Sequence, residues 1–143
     1  MALESIPAFC GFRGGRSGHA YNEAAFRLFL AADRWRAERS TRSLLLVLVT
    51  VRASAGPSAK LTDATAAAIF AGLGACFREV DFFGWYREGR VAAAVLPQGV
   101  SASGDVRYLI AERVLPVLRK QLSADQSTNL RVRVVRLGGR IRT

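Results

Sequence analysis

Ten residues, Ser43-Leu-Leu-Leu-Val-Leu-Val-Thr-Val-Arg52, constrain this chain more than any others. The run is apolar without alternation. A strand with one wet face alternates apolar and polar residues, whereas this one does not. It is therefore expected in the middle of a sheet, covered on both faces. The segment from Ala53 to Ala59 contains Gly56 and Pro57 and reads as a connection.

A second stretch supplies the partner strands. In residues 78–97, Phe82, Phe83, Trp85 and Tyr86 have strong strand propensity. Arg87-Glu88-Gly89-Arg90 follows as a short polar turn whose glycine can take a positive φ. Val91 to Leu96 is another apolar run, and Pro97 is expected to stop it, since proline has no N–H to give a ladder. The whole stretch reads as a tight β-hairpin.

Helical patterns surround these strands. Residues 20–40 carry Phe26, Phe29, Leu30 and Trp35 near helical spacing, read as a core-facing stripe. Asn22 is the expected N-cap, with Glu23 in the first turn. Residues 61–78 place Ala66, Ile69, Phe70, Leu73, Cys76 and Phe77 on one face after a Thr62 cap, and Gly72 and Gly74 suggest close packing. Residues 103–122 form another helix, which Pro116 is expected to kink or split. Residues 130–137 alternate Leu130, Val132 and Val134 with Arg131 and Arg133, as an edge strand does. Residues 1–19 read as a flexible leader, because glycine and arginine interleave there. Residues 20–143 are read as one domain. The order is helix, then β-α-β-β-α-β: a ferredoxin-like α+β fold with an antiparallel sheet built from two right-handed βαβ halves.

The composition narrows the function. The chain has 143 residues and a formal charge of +10, which favours an anionic partner. Lysine occurs only at Lys60 and Lys120, and the excess of arginine with abundant alanine is also what GC-rich coding produces. Cys10 and Cys76 make no disulfide framework, and Cys76 reads as a small core hydrophobe. His19 is the only histidine, so a multi-histidine metal site is excluded. No run reaches the ~18 apolar residues of a membrane span, and no signal pattern opens the chain. The expected location is the cytoplasm.

With that order in hand, several segments resemble the GGDEF family, the diguanylate cyclases. Tyr21-Asn22-Glu23-Ala24-Ala25-Phe26 is similar to the family's opening Asn-Arg-Arg-Ala-Phe segment. Arg39 to Leu46 resembles the charged helix end leading into the first strand. Arg78-x-x-Asp81-x-x-Gly84-x-Tyr86 resembles the approach to the signature turn, and Ala92 to Pro97 resembles the strand after it. The resemblance covers residues 20–137 and implies a nucleotide-cyclase-like fold.

The departures decide the expected activity. Where the family has Gly-Gly-Asp/Glu-Glu-Phe, this chain has Arg87-Glu88-Gly89-Arg90-Val91. The family's metal-binding aspartate on the first strand has no counterpart in Val47-Leu48-Val49-Thr50-Val51-Arg52. No carboxylate occurs between Glu38 and Asp63. Two magnesium ions need oxygen ligands that Glu88 alone does not supply, and Arg52, Arg87 and Arg90 bring positive charge instead. No catalytic residue, bound metal or cofactor is therefore expected.

One family element survives. Arg78-x-x-Asp81 matches the inhibitory site that binds cyclic di-GMP in many members. An arginine fork suits phosphate or a guanine edge, and a carboxylate accepts from guanine nitrogens. The competing explanation is an i,i+3 surface ion pair. The expected function is a degenerate, non-catalytic signalling domain. It would act as a cyclic di-GMP receptor or a protein-interaction module, with a homodimer as one further expectation. One alternative is an active cyclase with an unorthodox site built on Glu88. Another is an RNA-binding βαββαβ module, which needs stacking aromatics that the two central strands lack. Nucleic acid is the weaker partner.

Overall fold

A computed structural model describes residues 20–40, 42–52, 60–77, 82–98 and 106–138. Eight elements follow one another: helix α1 (Glu23–Arg39), strand β1 (Ser43–Val51), helix α2 (Asp63–Cys76), strands β2 (Phe82–Arg87) and β3 (Val91–Gln98), helices α3 (Val106–Gln121) and α4 (Ala124–Thr128), and strand β4 (Leu130–Gly138). The sheet order is β2-β3-β1-β4, and every neighbouring pair is antiparallel. This is the ferredoxin-like arrangement expected from the order of elements.

β1 is central, as its apolarity requires. Leu45 pairs with Leu96 of β3 on one side and with Arg136 of β4 on the other. Its side chains divide between two cores. Leu45, Val47, Val49 and Val51 pack with Ile69, Phe70, Leu73, Val114 and Leu118, under α2 and α3. Leu44 and Leu46 pack with Phe26 of α1 on the opposite face. Burying one such side chain is worth about 1.5–3 kcal/mol, so the two-sided strand anchors the fold. The alanines of β3 make room for the aromatics of β2: Ala94 stands opposite Phe83 and Ala92 opposite Trp85, and Phe70 lies 5.7 Å and 5.2 Å from those two rings.

Both faces of the sheet are thus covered by helices. This removes the open face on which an RNA-recognition domain stacks bases.

The helix caps fall where the sequence places them. Asn22 accepts a hydrogen bond from the Ala25 N–H at 2.9 Å, and Thr62 accepts from the Thr65 N–H at 3.1 Å. Two expectations need correction, and a third is narrowed. Trp35 does not join the core stripe; it is 59% exposed. Nine residues separate it from buried Phe26, which at 100° per residue places the two on opposite sides of the helix. Pro97 does not stop β3, which runs on to Gln98. β2 pairs with β3 only as far as Val95, so at Pro97 no neighbour on that side needs an N–H. Of the two outcomes expected at Pro116, a kink or a split, the split does not occur: α3 is continuous through it. Both Pro116 and Glu112 are exposed, so water can satisfy the carbonyl that the proline leaves without a partner. The leader, the connection at 53–59 and residues 139–143 lie outside the described residues. α4 was not expected; its signal is Ser123, which caps it by accepting from the Gln126 N–H.

Two glycines mark close approaches. A Cβ at Gly72 would meet the end of the Leu118 side chain, which can turn aside. A Cβ at Gly84 would meet the Tyr21 backbone, which cannot. There Tyr21 runs parallel to β2, its N–H donating to the Phe83 carbonyl at 3.0 Å and its carbonyl accepting from the Trp85 N–H at 2.9 Å. Gly84→Ala is therefore expected to cost about 1–3 kcal/mol. Gly72→Ala should cost less, since alanine also regains about 1 kcal/mol of helix propensity. Urea unfolding of the two variants checks the order, and the reverse ranking would contradict this packing.

Candidate functional site: the β2–β3 turn against the N-terminus of α1

Arg87-Glu88-Gly89-Arg90 forms the expected turn. Gly89 has φ 74°, in the left-handed region that a side chain disfavours. The Arg90 N–H donates to the Arg87 carbonyl at 2.9 Å, and the Gly89 carbonyl accepts from the Leu61 N–H at 2.7 Å, which ties the turn to the entry of α2. The register shifts between Trp85 and Arg87, so Tyr86 is an extra residue on β2.

The turn meets α1 through two glutamates. The Glu23 N–H donates to Glu88 Oε1 at 2.9 Å, and the Glu88 N–H donates to Glu23 Oε1 at 2.7 Å. Each backbone thus gives its proton to the other's carboxylate. Glu23 is the first residue of α1, so the Glu88 carboxylate satisfies one of the helix's orphan N–H groups and lies at the positive end of its dipole. Arg27, one turn along, completes the fastening. Its Nε is 3.3 Å from Glu23 Oε2 and donates to the Tyr86 carbonyl at 3.0 Å, while its guanidinium lies 4.3 Å from the centre of the Tyr86 ring.

This geometry tests whether the turn suits the two metal ions of a nucleotide cyclase. The end of β1, where an acid would be needed, carries Thr50 and Arg52; Arg52 is exposed and its N–H donates to the Asn129 carbonyl at 2.8 Å. Glu88 is the turn's sole carboxylate, and it is held at the helix N-terminus. Among the described residues no three His, Cys, Asp or Glu side chains group as metal ligands do. The donor set does not fit a pair of hard cations.

Arg87, Glu88, Gly89 and Arg90 therefore share the turn. Arg78 and Asp81, the candidate ligand pair, lie outside the described residues. Sequence reasoning missed Glu23 and Arg27 as partners of the turn. Glu23 and Glu88 are 65 positions apart, and no local pattern links them. Burial pushes the Cys76 thiol up from its usual range, with Arg113 opposing, as suits a packed thiol rather than a reactive one.

No protein-family model and no curated protein matches the chain. Solved structures do match. A DGC protein from Thermotoga maritima superposes with TM-score 0.56 at 15% identity, over 82% of this chain and 79% of that one. The GGDEF domain of FimX from Pseudomonas aeruginosa gives TM-score 0.50 at 15% identity, over 87% and 79%. The GGDEF domain of DgcB from Caulobacter crescentus, solved in complex with c-di-GMP, gives 0.50 at 13%, over 87% and 75%. The chain has the GGDEF-domain fold.

If the glutamates fasten the turn to α1, Glu88→Ala should cost about 0.5–2 kcal/mol, as loss of a helix cap does. Glu88→Gln keeps an acceptor and should cost clearly less. Thermal or urea unfolding compares them, and equal stability of Glu88→Ala and wild type would show that the contact does not hold the turn.

Proposed function

We propose that the protein is a non-catalytic, GGDEF-like signalling domain. The observation that carries this reading is the use of Glu88, the turn's one carboxylate, as a cap on α1. Phosphoryl chemistry on a nucleoside triphosphate needs metal or cationic charge held by a preorganised set of ligands. Arg52, Arg87 and Arg90 could attract phosphate, but Thr50 and Glu88 do not make a metal site. Incubation with GTP or ATP and magnesium or manganese is therefore expected to give no cyclic dinucleotide. Product that disappears on Glu88→Gln would establish the cyclase alternative.

Within that class the chain acts as a cyclic di-GMP receptor through Arg78 and Asp81. Support comes from the Arg-x-x-Asp spacing, its position just before the hairpin, and the cyclic di-GMP bound by the DgcB domain. Charge-assisted contacts are worth roughly 1.5–3 kcal/mol each, so Arg78→Ala should weaken binding about tenfold to a hundredfold. Stability should change by no more than about 1 kcal/mol. A second basic group from another copy would close the site, so binding should favour a dimer. Calorimetry decides: identical titrations for wild type and Arg78→Ala would remove the receptor role and leave a protein-interaction module.

A further inference from the structure

α1 is apolar on two sides. Phe26 and Ala37 face the sheet. On the outer side, Ala24, Leu28, Ala31, Ala32 and Trp35 follow i, i+4, i+7, i+8, i+11 spacing, and all five are exposed. Leu28 is 66% exposed and Trp35 59%. The stripe runs from Ala24 to Trp35 of a 17-residue helix, about 17 Å at 1.5 Å per residue. Large apolar side chains set together on a surface mark an interaction site.

The charge around the stripe selects its occupant. Glu23, Asp33 and Glu38 are the acids of α1, and each is paired with an arginine of the same helix: Arg27, Arg36 and Arg34. Arg39 lies over the Trp35 ring at 4.6 Å, and Arg42 follows the helix. On β4, Arg131 and Arg133 share the sheet face of Val135 and Leu137, which pack in the α1 core, so two further cations border this side. With a formal charge of +10, two copies without an anion between them repel at this face, whereas an anionic surface is attracted. The stripe is convex and one helix wide, with tryptophan and leucine outward and arginines along its margins. Tryptophan and leucine with flanking arginines are the side chains that suit contact with the headgroup layer of a membrane. No helix among the described residues is long and apolar enough to cross a membrane, so the contact would be peripheral.

We propose that the outer face of α1 docks on an anionic lipid surface. Leu28 and Trp35 enter the headgroup layer, Arg39 and Arg42 meet lipid phosphates, and Arg131 and Arg133 add longer-range attraction from the sheet beneath. The Arg39 guanidinium lies over the Trp35 ring, so its charge is carried to the headgroup layer beside the indole. The inference goes beyond the reading of the turn and holds whether or not cyclic di-GMP binds.

Co-sedimentation of the full chain with vesicles of phosphatidylglycerol and phosphatidylcholine in equal parts, against phosphatidylcholine alone, tests it. Wild type should bind the anionic vesicles, lose binding as salt is raised, and ignore the neutral ones. Tryptophan emission should move to the blue on binding, and Trp35→Ser should abolish the shift, because Trp85 is already buried. Leu28→Ser combined with Trp35→Ser should weaken binding by about tenfold or more with an unchanged urea midpoint. Absence of binding to anionic vesicles overturns the proposal. So does equal binding by the double variant, which would mean adsorption by charge alone. A wild-type dimer in sedimentation that the double variant dissolves would make the face a contact between copies, and would overturn it too.

Discussion

Burial of β1 on both faces is the constraint from which the rest follows. A strand whose alternate side chains all need cover cannot lie at an edge or face water. It takes β3 on one side and β4 on the other, α1 over one face and α2 with α3 over the opposite face. The small side chains of β3 let the aromatics of β2 reach both cores: Phe83 and Trp85 join one, Phe82 and Tyr86 the other. Once that packing is set, the β2–β3 turn, the start of α1 and the entry of α2 meet at one end of the sheet. The reciprocal glutamate bonds join elements that the core has already brought together.

On the proposed reading, that end of the sheet is where the chain departs from what a nucleotide cyclase needs. A hairpin, a left-handed glycine and the starts of two helices meet there. The side chains are of another kind. Thr50 and Arg52 stand at the end of β1, arginines flank the turn, and its glutamate serves α1. On the proposed reading, a folding contact occupies the group that chemistry would require. The scaffold and its chemistry are separable in this way, because the first depends on buried apolar area and the second on a few exposed oxygen atoms.

Much of the fold was legible because it is written in local patterns. The unbroken apolarity of Leu44–Val49 gave the central strand, the alternation of Leu130–Val134 gave the edge strand, and Asn22 and Thr62 gave the helix starts. Trp35 was misplaced because aromatic residues at near-helical spacing look alike until the angle from Phe26 is followed through nine residues. Pro97 was misread, and Pro116 leaves its helix unsplit, because the cost of proline depends on whether its missing N–H or freed carbonyl has anything to lose, and that is settled by neighbours. The turn was legible from Gly89 and its polar company. Its engagement with Glu23 and Arg27 was not, because those bonds join side chains to backbone groups 59 or 65 positions away, and no local pattern links them.

The assignment of Glu88 to the helix cap rather than to a cation is tested most directly by titrating the full chain with magnesium while following amide resonances by NMR. The Glu23 and Glu88 N–H groups each donate to the other's carboxylate, so they report on any ion that draws either side chain away. Their resonances are expected to stay in place as magnesium is raised to millimolar levels. A saturable shift centred on Glu23, Glu88 and Thr50 would contradict the account and place a metal site at the turn.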